Sequence, residues 1–86
     1  MGKHAKTLLR ILRGTSDAST EFSDLCGLLQ HLSFSERIKG SHHIFRRPDI
    51  PEILNRQPAG AKAKPYQVKQ VRDLLLKYRL GDTNGS

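Results

Sequence analysis

The stretch Arg37-Ile38-Lys39-Gly40-Ser41-His42-His43-Ile44-Phe45-Arg46-Arg47-Pro48-Asp49 decides how the rest of this 86-residue chain is read. Gly40-Ser41 and Arg47-Pro48-Asp49 are turn signals. Between them, residues 42–47 are rich in Ile and Phe and suit a strand. Residues 35–39 alternate loosely before the first turn, with Arg37 and Lys39 of one parity and Ile38 of the other. Beyond the second turn, residues 52–57 read as a third short strand, with Pro51 tolerable at its start. Connections this short join antiparallel neighbours, so a three-stranded antiparallel sheet is expected.

Working outward, Leu25, Leu28, Leu29 and Leu32 fall at helical spacing, and the period fails at Phe34. Ser23 is the expected N-cap of this helix, with Asp24 in its first turn. Gly27 inside it costs ~1 kcal/mol relative to Ala, which points to something packed closely there. Ala5, Leu8, Leu9 and Leu12 repeat the stripe in a first helix over residues 4–13. Lys3, Lys6, Arg10 and Arg13 cluster beside that stripe, and Gly14 suits its end. Residues 14–21 read as a loop. Past the strands, Pro58-Ala59-Gly60-Ala61-Lys62-Ala63-Lys64 reads as a flexible basic loop. Pro65 then opens a helix, with Val68, Val71, Leu75 and Tyr78 as its buried stripe and Leu74 widening it. Lys69, Arg72 and Lys77 lie off the stripe.

The order is therefore helix, then helix–strand–strand–strand–helix. The last five elements follow the order of a double-stranded-RNA-binding domain. The expected class is α+β, with two helices on one sheet face, the other face open, and an extra N-terminal helix. Residues 1–20 form the extension, residues 21–80 the domain and residues 81–86 a flexible tail. A chain this short buries only roughly 60–65% of its unfolded surface, which leaves little room for a deep cavity.

The net charge is +7, and it is unevenly spread. Residues 14–36 hold four acidic groups and no basic ones, whereas residues 37–80 hold eleven basic groups against Asp49, Glu52 and Asp73. A segment this basic suits a phosphate-rich partner, because Lys and Arg gain by displacing its counterions. The single cysteine, Cys26, excludes an internal disulfide and a Cys-rich metal site, and its helix position makes it a small buried residue. No stretch approaches a signal peptide or a membrane span. A soluble cytoplasmic protein with no small-molecule cofactor is expected.

His42 is a candidate for chemistry. RNA is cut without a metal when its 2′-hydroxyl is deprotonated and attacks the adjacent phosphate. That needs a base near pH 7, and the imidazole is the side chain that titrates there. An exposed strand histidine without a role is the plain alternative. Lys39, Arg46, Lys62, Lys64 and Lys69 are the groups that could hold phosphate and steady its charge. Lys62 and Lys64 precede a helix N-terminus, whose free N–H groups favour anions. His43 faces the other way, with Phe45, because strand side chains alternate. It reads as structural, and two diverging histidines with no third ligand argue against a metal. Ser41 is read as a turn residue rather than a nucleophile, and Asp49 and Glu52 as turn and strand-edge groups. His4 and His31 read as solvated. Tyr66 suits either a stacked base or a cap on the core.

Residues 21–80 resemble the HicA toxin family. The resemblance rests on Arg37-Ile38-Lys39-Gly40-Ser41-His42-His43-Ile44-Phe45-Arg46 and on the closing Lys62-Ala63-Lys64-Pro65-Tyr66-Gln67-Val68-Lys69-Gln70-Val71-Arg72. It implies a ribonuclease toxin of double-stranded-RNA-binding-domain fold that cuts messenger RNA and is held by a HicB-type antitoxin. The family's functional histidine follows Gly-Ser, which is His42 here. Two positions depart from the family pattern: Ser33 and Arg79 stand where relatives tend to have glycine near helix ends. A non-catalytic RNA-binding module of the same fold is the alternative reading. A partner that meets only an acidic protein is another.

Overall fold

The computed structural model describes residues 2–15 and 17–80. The chain forms α1 (Lys3–Arg13), a 3-10 turn (Asp17–Ser19), α2 (Phe22–His31), β1 (Ser35–Lys39), β2 (His42–Arg47), β3 (Ile50–Arg56), β4 (Pro58–Ala59), β5 (Lys62–Ala63) and α3 (Pro65–Lys77). The tail expected over residues 81–86 lies outside the described residues. β1, β2 and β3 form an antiparallel sheet in sequence order, as the two short turns require. Gly40 opens the first of those turns at φ 62°, a left-handed value that a side chain at this position would resist.

Register then sorts the strand residues. Glu36 pairs with Phe45 and Phe45 with Leu54, while Ile38 pairs with His43 and His43 with Arg56. Opposed residues share a face, so these positions look toward the helices. Phe45 and Leu54 meet Leu25, Leu28 and Leu29 of α2 and Val68, Val71, Leu74 and Leu75 of α3 in one core. Each fully buried Leu or Phe contributes roughly 1.5–3 kcal/mol. Leu8 and Ile11 enter the same core, so α1 packs on its own chain. His4 explains the internal glycine of α2. A Cβ on Gly27 would lie 3.1 Å from the His4 ring, and that ring stacks on His31 at 4.8 Å. The two histidines read as solvated are thus packed on each other.

Four local readings need correction. α2 starts one residue before Ser23, with Glu21 as N-cap and no side-chain cap bond. Its first N–H is satisfied instead by backbone: Phe22 N donates to Ala61 O at 3.0 Å. The carbonyl comes from the segment read as a flexible loop, which is in fact the hairpin β4–β5. Ala63 N donates to Thr20 O at 2.9 Å and so ties this hairpin to the entry of α2. The loop read over residues 14–21 contains the 3-10 turn, where Asp17 takes hydrogen bonds from Arg72 at 2.8 and 3.1 Å. Tyr78 is only half-buried and directs its hydroxyl to Glu52.

Both departures from glycine fall in the left-handed region: Ser33 has φ 73° and Arg79 φ 55°. At the end of α2, Phe34 N donates to Leu29 O and Ser33 N to Gln30 O, both at 3.0 Å. At the end of α3, Leu80 N donates to Leu75 O at 2.9 Å and Arg79 N to Leu76 O at 3.4 Å. This paired pattern requires a left-handed residue after the cap, the position that favours glycine.

Candidate functional site

The sheet face away from the helices is formed by alternate residues: Arg37 and Lys39 of β1, His42, Ile44 and Arg46 of β2, and Ile53 and Asn55 of β3. None of the outward positions of the three strands is acidic. Arg37, Lys39 and Arg46 form no ion pair among the described residues. Unpaired cations crowded on a bare face repel one another, which a docked polyanion would relieve.

His42 begins β2 on this face and is exposed. Lys39 stands directly opposite it in the ladder, so their Cβ atoms are about 4.5–5.5 Å apart. Asn55 Oδ1 lies 3.0 Å from His42 Nδ1. An amide oxygen only accepts, so this contact is a hydrogen bond in the neutral tautomer that carries its proton on Nδ1. The Nε2 lone pair is then left pointing to solvent. Gln57 Nε2 donates to Ser41 Oγ at 3.1 Å, which pins the hairpin turn just before His42 and fits the turn role read for Ser41. Arg46 shares the face but lies four residues along β2, about 13 Å from His42.

The remaining cations read from the sequence belong elsewhere. Lys62 is on β5 and bonds Glu21 at 2.7 Å. Lys69 is on α3, 3.8 Å from Asp73. Lys64 is the N-cap residue of α3 and has its carbonyl engaged by Gln67 N and Val68 N. The fold therefore gathers Lys39, His42 and Arg46 on one face and sets Lys62, Lys64 and Lys69 apart from it. Asp49 and Glu52 are no carboxylate pair: Asp49 bonds Arg47 at 2.8 Å and Glu52 bonds Lys77 at 2.7 Å.

His43 looks toward the helices, as its parity requires. Its Nδ1 lies 2.6 Å from Glu36 Oε2, its ring meets Phe22 edge-on at 4.9 Å, and Gln30 donates to the other Glu36 oxygen. Cys26 completes a group whose donor atoms all lie within 4.8 Å of one another. The sequence offered no third ligand beside His43, yet the fold brings two groups of ligand type to it. The carboxylate is already engaged twice. Burial and the nearby Glu36 push the Cys26 thiol up to about 12, so it stays protonated. Glu36 and His43 thus satisfy each other on the face opposite His42, with the protonated Cys26 thiol beside them.

Sequence reading missed Arg37 and Asn55. Strand parity carried Arg37, since it shares that of Lys39. Asn55 depends on register between β2 and β3, and a bulge between Phe45 and Arg47 shifts that register.

The chain is thus a small α+β domain whose helix-backed antiparallel sheet presents a histidine and unpaired cations on an open face. Residues 22–78 match the family described as HicA toxin of bacterial toxin-antitoxin, and this is more than half of the chain. The protein therefore belongs to the HicA toxin family and is the toxin side of a toxin–antitoxin pair, with an antitoxin as its partner. Searches of curated proteins and of solved structures gave no match. No helix of the described residues is long and apolar enough to cross a membrane.

Proposed function

We propose that the chain is an endoribonuclease that cuts messenger RNA with His42 as general acid/base and no metal, and that a HicB-type antitoxin restrains it by covering the open sheet face. The observation that carries this reading is the His42–Asn55 contact on a face bearing Arg37, Lys39 and Arg46. Nε2 takes the proton of a ribose 2′-hydroxyl. The O2′–P bond forms and the P–O5′ bond breaks. The leaving 5′ oxygen takes a proton from solvent, and the imidazolium later returns its own. The products are a 2′,3′-cyclic phosphate and a 5′-hydroxyl. A placed base supplies about 10²–10⁴-fold. Lys39, directly opposite, stabilises the charge that gathers on phosphate. Lys62, Lys64 and Lys69 serve the flanking backbone, with Lys62 and Lys69 exchanging their carboxylate partners for phosphate.

The deciding experiment is cleavage of a defined RNA by wild type and by His42→Ala. The expected result is a folded variant that binds RNA with salt-dependent affinity and cuts it at least about 100-fold more slowly. Equal cleavage by both proteins removes His42 from the chemistry. Binding without cleavage by either supports the non-catalytic RNA-binding module instead. Upstream fragments ending only in 3′-hydroxyl would exclude the transphosphorylation route.

A further inference from the structure

A groove of about 590 Å³ runs between β3 and α3, with Ile53, Asn55 and Arg56 on one wall and Tyr66 and Gln70 on the other. Asn55 links its rim to the open face, because this residue both lines the groove and contacts the His42 imidazole. Its most telling member is Arg56, which is only 4% exposed. Its Nη1 donates to the Asn55 carbonyl at 2.8 Å, but its buried Nε has no acceptor. It makes no ion pair among the described residues, and burial lowers its pKa. A buried cation without a counter-charge is costly, so an acceptor brought into the groove meets an unmet demand. The acidic groups at the far end offer no such partner. Glu52 is engaged by Lys77 and Tyr78, and Asp73 faces Lys69. Tyr66 adds a ring that is 57% exposed at the groove rim, while the three phenylalanines are buried.

We propose that this groove holds the RNA nucleotide next to the bond that is cut. Its base rests on Tyr66, an acceptor oxygen meets Arg56, and the side-chain amides of Asn55 and Gln70 read the base edge. The proposal deepens the ribonuclease reading and rests on it for the word "cut". Stacking on an aromatic ring is sequence-tolerant, whereas amide groups discriminate between donors and acceptors. The groove is therefore the part of the site that sets preference among bases.

The test is an NMR titration of the His42→Ala protein with each of the four 3′-nucleoside monophosphates, with inorganic phosphate alone as control. Nucleotides are expected to shift the signals of Asn55, Arg56, Tyr66 and Gln70 and to bind more tightly than phosphate. Adding Tyr66→Ala, an exposed position, is expected to weaken binding about 5- to 150-fold. In the active protein, Tyr66→Ala and Gln70→Ala are expected to change which bases flank the cut. An Arg56→Leu variant is expected to gain stability while losing nucleotide affinity, a combination that a merely structural arginine does not give. Shifts confined to the open face around Lys39 and Arg46, or nucleotide affinity and base preference untouched by Tyr66→Ala, overturn the proposal. Groove signals that respond to an acidic peptide and not to nucleotides also overturn it, since the occupant would then be protein. Should His42→Ala still cleave RNA, the His42 reading fails, while the titration decides the groove by itself.

Discussion

Asn55 of β3 holds Nδ1 of His42 at 3.0 Å, one step diagonally from its own register partner Ile44. The contact gives the catalytic proposal its most direct test. If the Asn55 amide sets the tautomer, Asn55→Ala frees both the ring torsion and the choice of protonated nitrogen. Cleavage is expected to fall about 10- to 100-fold, as for a reacting group displaced by about 1 Å. Imidazole ¹⁵N shifts are the separate readout: wild type should show Nδ1–H, and the variant a mixture. A variant with the wild-type tautomer and wild-type rate removes Asn55 from the mechanism.

Ser33 and Arg79 occupy left-handed positions that cost an L-residue roughly 1–2 kcal/mol. Glycine removes that cost but adds about 0.4–1 kcal/mol of unfolded-chain freedom. Ser33→Gly and Arg79→Gly are each expected to raise stability by roughly 0.5–1 kcal/mol. They touch separate helix ends, so their effects should add. Urea unfolding should show higher midpoints with unchanged slopes. A lowered midpoint for either would mean that the side chain contributes a contact worth more than the backbone strain.

These two caps mark what the sequence could and could not reveal. Their departure from glycine showed only against the family pattern. The two tight turns, the alternation of His42 and His43 and the leucine stripe of α2 were local patterns visible in the chain, whereas the face of α1 was misread, since Leu9 is exposed and Ile11 is buried. The hairpin β4–β5 escaped because two-residue strands carry no period, and Pro, Gly and Ala within residues 58–61 read as loop. The capping of α2 by Ala61 escaped because a backbone carbonyl has no sequence signature. Asn55 and Arg56 were unreadable for a third reason. Their value lies in which strand and helix they meet, and only register supplies that.

Burial of Ile11 places α1 inside the cooperative fold. Arg72 strengthens the link, because its Nη1 donates both to Asp17 and to Ile11 O at 3.3 Å. Ile11→Ala is expected to cost about 2–5 kcal/mol, a large share of the roughly 5–15 kcal/mol of a typical domain. Asp17→Asn should cost less, since the pair is partly solvated. The check is a single unfolding transition seen alike by circular dichroism and tyrosine fluorescence. If Ile11→Ala leaves the midpoint unchanged, α1 is an independent appendage rather than part of the core.

Glu52 gives stability a dependence on acid pH. Hydrogen bonds from Lys77 and Tyr78 lower its pKa to about 2, against the usual value near 4.5. The folded state thus prefers the ionised form. Its contribution is fully present above the unfolded-state pKa and disappears as pH falls through the folded one. The window therefore lies between about pH 4.5 and 2. Comparison of Glu52→Gln with wild type isolates the effect. The two unfolding midpoints should differ most at pH 6 and converge toward pH 2. A difference that stays constant across that range would show that the variant loses packing or hydrogen bonding rather than a titrating charge.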